Sequence, residues 1–307
     1  MSFEFTARLP LSRHELDRDY LSRNRPALFE ELWADARTRV LPLWNGTAML
    51  DGESVAVLSP GETPEAELLL YLGRTIDGAD TPYVAAVLTD EAAATLGSGA
   101  VWGNLRELGS KLSDFDAGLF TEALALANWH AAHRFSPRTG RATSPALGGW
   151  VRRADGDDGD DFPRTDAAII VGVTDAEDRI LLGSNALWAE NRYSLLAGFV
   201  EPGESLENAV VREVYEEAGI RVRNPVYLGS QPWPFPASIM LGFRATLDRD
   251  HPQTLRPDGE EILDLRWFSR EELSSSLGEI VLPGGTSIAR AILEDWFGGP
   301  IEDRHEW

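Results

Sequence analysis

Glu213, Glu216 and Glu217 crowd the last turn of a stretch, Leu206 to Ala218, that reads as a helix stopped by Gly219. Carboxylates there are disfavoured twice: they repel one another at i+3 and i+4, and they face the negative end of the helix dipole. A divalent cation would offset both effects. At about 100° per residue, Glu213 and Glu217 project about 40° apart, with Glu216 about 60° to the other side. Leu206, Val210, Val214 and Ala218 form an adjoining apolar stripe, so two of the three acids border the packed face. Hard oxygen donors clustered this way suit Mg²⁺ or Mn²⁺, ions that also bind phosphate oxygens. Gly198 and Gly203 allow a tight turn and close backbone approach ahead of the helix. Arg212 could pair with Glu216 or with Glu204. The competing reading is a solvated acidic face.

A second stretch, "SQPWPFPAS" from Ser230 to Ser238, carries Trp233 and Phe235 between prolines. Prolines at 232, 234 and 236 forbid a helix and a central strand, which predicts an extended segment. A flat ring could stack on the two stiffly held aromatics, with Gln231 and Ser238 bonding to its edge. The alternative is a proline-rich loop that buries two aromatics.

These stretches carry a family resemblance. From Gly198 the chain reads five residues, Glu204, seven residues, Arg212-Glu213-Val214, one residue, Glu216-Glu217, one residue, Gly219-Ile220. This is similar to the Nudix box at every fixed position. The aromatic stretch resembles the S-Q-P-W-P-F-P-x-S motif that NADH pyrophosphatases carry after that box. The resemblance implies a metal-dependent hydrolase that cleaves the diphosphate of NADH or NAD⁺ to AMP and nicotinamide mononucleotide, with removal of an NAD cap from RNA as a further activity.

Carried over by position, Glu213 and Glu217 would be metal ligands, the carbonyl of Ala197 a third, and Glu204 and Arg212 a brace for the loop. Glu216 would be a ligand or the base. Glu261, in "GEEILDLRWF", would complete the metal site or serve as base, with Glu260 beside it as the alternative. Substrate contacts are implied for Phe162, where the family often has tyrosine, and for Phe199, Gln231, Trp233, Phe235, Ser238 and Ala289. The family also implies a homodimer whose sites are shared between chains.

The implied fold is α+β: a Nudix α/β/α-sandwich catalytic domain over residues 164–307, preceded by a smaller degenerate Nudix-like α+β domain over 1–125. The residues themselves give compatible elements. "LPLWNGTAML", "SVAVLS", "ELLLYLG" and "PYVAAVLTD" read as strands, with Asn45-Gly46 and Asp77-Gly78 as turns. "SDFDAGLFTEALALANWHAAHRF" reads as a helix. "AAIIVGVT", "RILLGS", "YSLLAGFV", "PVYLGS", "SIMLGFRATL" and "EILDLRWF" read as strands of the second domain. Ser269 with Glu272 forms a capping box, and Thr286 is the expected N-cap of the last helix.

Residues 126–163 read as a linker rich in Gly, Pro, Ser and Asp. Family members commonly carry a four-cysteine zinc site there. This chain has no cysteine, and Ser136 and Thr139 stand in the first knuckle. Hydroxyls do not replace thiolates on zinc, so no structural zinc is expected. His130 and His133, three apart, are too few for a metal site and read as packing or surface residues. The acids from Asp155 to Asp161 lack the glycine placement of a calcium loop and read as a solvated turn.

Composition bounds the alternatives. The 307 residues are 43% apolar, enough for two ordinary cores. No run of about 18 apolar residues exists, so no membrane span is expected, and the first residues lack a secretory pattern. The cytoplasm is the expected compartment. A net charge of −22 argues against non-specific grip on nucleic acid but leaves an anionic substrate open, since a metal inverts the local field. ADP-ribose or another dinucleotide would suit the same chemistry. A nucleotide-sensing module that binds without cleaving is the alternative from another class, although every acid the chemistry needs is present. No G-x-S-x-G or strand-linked G-x-G-x-x-G supports a serine hydrolase or a dehydrogenase.

Overall fold

A computed structural model describes residues 2–156 and 159–302. The chain divides into two units: Met1–Ser12 with Asp166–Pro232 and Ser238–Trp307, and Arg13–Thr165 with Trp233–Ala237. This differs from the expected boundaries in three places. The first residues join the C-terminal unit because Phe5 and Leu9 are buried in its core. Residues 126–163 belong to the N-terminal unit, since the helix Asp114–Ala132 runs into them and a small sheet comes after it. The aromatic turn Trp233–Ala237 also clusters with the N-terminal unit.

In the C-terminal unit the strands lie in the order Val222–Trp233, Ser238–Leu247, Asp166–Thr174, Ile180–Asn185, Ile262–Phe268. Leu196–Phe199 pairs with the front of Asp166–Thr174. The Asp166–Thr174 and Ser238–Leu247 strands are parallel, with Ile170 opposite Gly242 and Gly172 opposite Arg244. Period-two alternation sorts their side chains. Ile169, Val171 and Val173 pack with Val210, Val214 and Ala218 of the helix Leu206–Ala218. Ile170 packs with Ile288 and Ile292 of the helix Ile288–Phe297. A sheet buried on both faces between helices is the expected sandwich.

Two local expectations change. The last helix is capped by Ser287, whose hydroxyl accepts the Ala289 N–H at 3.2 Å, and not by Thr286. Thr286 is buried and its carbonyl accepts a bond from Gln231 at 2.8 Å. The proline-rich stretch is not extended throughout. Pro232 lies in an edge strand, Pro234–Ala237 make a turn, and the Phe235–Pro236 peptide is cis. The reason is pairing: Ser238–Leu247 must return beside Val222–Trp233, so the chain reverses between them. The capping box of Ser269 and Glu272 is present.

The N-terminal unit holds a sheet in the order Leu16–Asp17, Leu68–Thr75, Pro82–Val87, Arg39–Trp44, Thr47–Asp51, Ser54–Val55, with Val101–Asn104 also on Thr47–Asp51. Asn45 and Gly46 turn its hairpin at φ 48° and 76°. Leu28, Leu32, Val40, Tyr71 and Val84 form one core.

Backbone bonds and arginines hold the former knuckle after the helix Asp114–Ala132. The Ser136 N–H donates to the Arg141 carbonyl at 2.8 Å, and the Gly140 N–H to the Ser136 carbonyl at 2.9 Å. Thr143–Ala146, Val151–Ala154 and Asp160–Asp161 make an antiparallel sheet. Buried Arg152 donates to Thr143 Oγ1 at 2.7 Å and lies 2.8 Å from His130 Nδ1, while His130 Nε2 meets the Gly149 carbonyl at 2.7 Å. His133 stacks on Trp129 at an interplanar angle of 29°. The acidic tract reads in sequence as a solvated turn, yet its end is strand: Asp160 pairs with Arg153 at 2.6 Å and Asp161 with Arg138 at 3.4 Å. Arginines across the sheet and in the knuckle neutralise those acids. Asp157 and Asp158 lie outside the described residues. Among the described residues no helix is long and apolar enough to cross a membrane.

Candidate active site

The helix Leu206–Ala218 starts where the Ser205 hydroxyl accepts the Asn208 N–H, and stops at Gly219 with φ 69°. Its apolar stripe carries Glu217 inward, and that residue is 4% exposed. Glu217 Oε2 has no hydrogen-bond partner among the described residues. Burial, and then the charges of Glu213, Glu261, Asp258 and Glu216, push its carboxyl up to about 9. Glu213 is also raised by burial, with Arg212 opposing. The Glu213 carboxylate lies on Gly198, where any side-chain carbon would collide with it. That glycine is a cradle for the acid.

Arg212 ties the loop to the helix. Its guanidinium donates to both oxygens of Glu204, at 3.1 and 2.5 Å, to Glu213 at 2.8 Å, to Glu216 at 3.0 Å and to the Phe199 carbonyl at 2.9 Å. Glu204 also accepts the Glu201 N–H at 2.8 Å, and its bond with Arg212 lowers its carboxyl. Both partners that the sequence offers for Arg212 are therefore used.

Glu261 approaches from the loop before Ile262–Phe268. Asp258 Oδ1 accepts the N–H groups of Glu260 and Glu261 at 3.0 Å each and of Ile262 at 2.8 Å. Burial acts to raise Asp258, but these backbone donors outweigh it and lower the carboxyl. The Asn185 amide donates to Glu261 Oε1 at 3.4 Å. Sequence reading missed Asp258 and Asn185. The Asp258-Gly259 pair was a turn signal that could have found the first.

The acids needed for a cation are thus neighbours, but they are not a formed cage. Among the described residues no three His, Cys, Asp or Glu side chains stand close enough to hold an ion. Like charges splay the carboxylates, and Arg212 draws Glu213 and Glu216 toward itself. The residues still fit a hard divalent cation on two observations: the buried, unpartnered Glu217 oxygen and the Gly198 cradle that sets Glu213 against the strand carrying Ala197.

The remaining expected site residues divide. In the C-terminal unit Phe199 is exposed beside Gly198, and Ser238 opens its strand opposite Asp166. Gln231 is fully buried, donates to the Thr286 carbonyl and leaves Oε1 without a partner among the described residues. Ala289 is buried too, with its N–H on Ser287. As placed, these two pack and present no surface. In the N-terminal unit Trp233 and Phe235 meet edge to face, 4.9 Å apart at 75°, so they form no parallel slot. Arg106 covers both rings at 5.3 and 4.6 Å, and the Asn128 amide holds the turn through the Pro234 and Pro236 carbonyls at 2.9 and 3.2 Å. Phe162 is exposed. Nothing local in the sequence marks Arg106 or Asn128, since each acts on residues more than a hundred positions away.

Known proteins share both halves of the chain. The NUDIX domain model matches residues 163–291, and the NADH pyrophosphatase-like rudimentary NUDIX domain model matches residues 37–129. The NAD-capped RNA hydrolase NudC of Mycobacterium bovis is 42% identical over 275 residues, which is 86% of this chain and 85% of that protein. The enzyme of the same name from Mycobacterium tuberculosis matches with the same identity and coverage. The NAD-capped RNA hydrolase of Schizosaccharomyces pombe is 34% identical over 236 residues, 67% of this chain and 62% of that protein.

Proposed function

This chain belongs to the Nudix hydrolases, in their NADH pyrophosphatase subfamily, and from that premise we propose that it hydrolyses the diphosphate of NAD(H) with the help of Mg²⁺ or Mn²⁺. It is a Nudix pyrophosphohydrolase with a rudimentary Nudix domain ahead of the catalytic one. The observation that carries the metal-dependent reading is the buried Glu217 oxygen, left without a donor among four other carboxylates. The relatives named as NAD-capped RNA hydrolases support NAD as the substrate, free or as an RNA cap.

Glu213 and Glu217 are the proposed ligands, with the Ala197 carbonyl and Glu216 completing the set. A divalent cation held there would neutralise the diphosphate oxygens and make water a stronger nucleophile. Arg212 positions Glu213 and Glu216, and through Glu204 and the Phe199 carbonyl it fixes the loop ahead of the helix. Glu261 is the proposed base. Glu216 Oε2 is occupied by the Arg212 guanidinium, whereas Glu261 accepts only a long amide bond and lies open to solvent. The water oxygen adds to one phosphorus, its proton goes to Glu261, and the bridging P–O bond breaks. AMP and nicotinamide mononucleotide result. Trp233, Phe235, Phe162 and Phe199 are proposed ring contacts.

Equimolar NADH, NAD⁺, ADP-ribose, diadenosine diphosphate and an NAD-capped RNA oligonucleotide, offered together with Mn²⁺, test this reading. Product masses should show AMP with reduced or oxidised nicotinamide mononucleotide as the fastest pair, and no product in EDTA. Preferential ADP-ribose cleavage would reassign the substrate. Tight NADH binding without products would point to a sensing module.

A further inference from the structure

On the face away from the carboxylate helix the catalytic sheet carries a cleft of about 470 Å³. Strand alternation builds it. Ile170 and Gly242 face the helix Ile288–Phe297, so Gly172, Thr174, Arg244 and Thr246 on the same two strands share that face. The helix presses Ile288 and Ile292 against Gly172 and Gly242, where a β-carbon would collide. Beyond them the sheet lies open, and the edge strand adds Val226, an exposed apolar residue.

One wall is rigid. Arg270 donates to the Trp296 carbonyl at 3.0 and 2.6 Å and to Asp178 at 2.7 Å, while the Trp296 indole N–H donates to the Asp178 carbonyl at 3.0 Å. Asp295 at the rim is paired with Arg8 at 3.0 Å. Both acids lining the cleft are therefore matched by arginines. Arg244 is different: it is exposed in the cleft, and its side chain has no ion pair or hydrogen bond among the described residues. Of the two arginines that line the cleft, Arg270 is taken up by Asp178 and the Trp296 carbonyl, and Arg244 is the one left to meet a ligand.

We infer that this cleft binds a small planar anion of mononucleotide size, its phosphate or carboxylate on Arg244 and its ring on Val226 beside Trp296. The volume suits such a ligand, and the mix of apolar floor, hydroxyls and one guanidinium is complementary to it. The site lies across the sheet from the glutamates and does not depend on the reaction proposed above.

Equilibrium dialysis with AMP as the probe, in EDTA, tests the site. Arg244→Gln should weaken one class of AMP sites by about tenfold, as expected for loss of a partly exposed charge-assisted bond. Arg244→Lys should restore part of that loss. Val226→Glu, an exposed substitution that puts a carboxylate on the floor, should weaken the same sites. NADH hydrolysis with Mn²⁺, followed in parallel, should stay within about twofold of the wild type in the Arg244 variants, because neither touches the carboxylate face. AMP isotherms unchanged in both Arg244→Gln and Val226→Glu, or no AMP uptake by the wild type, would overturn the inference.

Discussion

Among the described residues each unit buries one glutamate, and the two are surrounded in opposite ways. Glu122, in the N-terminal unit, is 6% exposed, with Arg18 at 3.4 Å, His14 at 3.6 Å and Arg23 also acting on it. Glu217, in the C-terminal unit, is 4% exposed and its neighbours in charge are all acids. Burial raises both carboxyls, but the arginines pull Glu122 back to about 7 while the acids hold Glu217 at about 9. Neither Glu122 oxygen accepts a hydrogen bond among the described residues, but Arg18, at ion-pair distance, and Arg23 meet its charge within the fold. A buried acid matched by more acids must keep its proton or take a cation from outside. On the function proposed above, the contrast separates a structural carboxylate from one kept for chemistry.

The largest expected effect breaks the chemical side. Glu217→Gln should lower NADH hydrolysis by about 10³-fold, the scale of a lost catalytic group. Its melting temperature in EDTA should stay unchanged or rise, because glutamine stays neutral in that buried place without taking up a proton. A large loss of metal-free stability would place Glu217 with the structural acids. Next, Arg212→Gln should reduce turnover by about 10- to 100-fold, the scale for a residue that orients ligands. Its partner-bonding role predicts a larger change in kcat than in KM, checked by initial-rate kinetics.

The pH dependence sharpens the contrast. Each carboxyl holds its proton longer in the folded chain than in the unfolded one, where it titrates near 4.5. The folded state then binds more protons in between, so stability falls as pH rises through that window. For Glu122 the window closes near 7, and for Glu217 in metal-free buffer it closes near 9. Urea melts in EDTA should show Glu122→Gln removing a loss on the order of 3 kcal/mol between about pH 4.5 and 7. Glu217→Gln should flatten the fall that continues above pH 7. Identical slopes in both variants and the wild type would remove the distinction. The smallest effect belongs to the aromatic turn: Trp233→Ala should weaken dinucleotide affinity by about tenfold, the scale of one stacking contact, with little change in kcat. Unchanged affinity would exclude a ring contact there.

Much of the catalytic unit was legible because its signals are local. The helix Leu206–Ala218, its Gly219 stop and the Ser269–Glu272 capping box arise from neighbours within one turn. The burial of Glu217 along with Val214 and Ala218 comes from the same periodicity. The hidden features depend on distant partners. Ser287, not Thr286, caps the last helix, and Thr286 is buried with its carbonyl serving Gln231, far away in sequence. Pro234–Ala237 turned because of strand pairing that proline content alone cannot reveal. Arg106 and Asn128 hold that turn across a long separation. The shape of the cysteine-free knuckle rests likewise on Arg152, Arg153 and Arg138 meeting residues of other strands.

Mn²⁺ binding to the wild type and to Glu217→Gln, read from the free-ion paramagnetic resonance signal at pH 8, interrogates the buried oxygen itself. The wild type should withdraw Mn²⁺ from solution, and Glu217→Gln, with an unchanged melt in EDTA, should bind it at least about tenfold more weakly. Equal Mn²⁺ affinity in the two proteins would contradict the metal-dependent reading, since the buried oxygen would then be no part of a cation site.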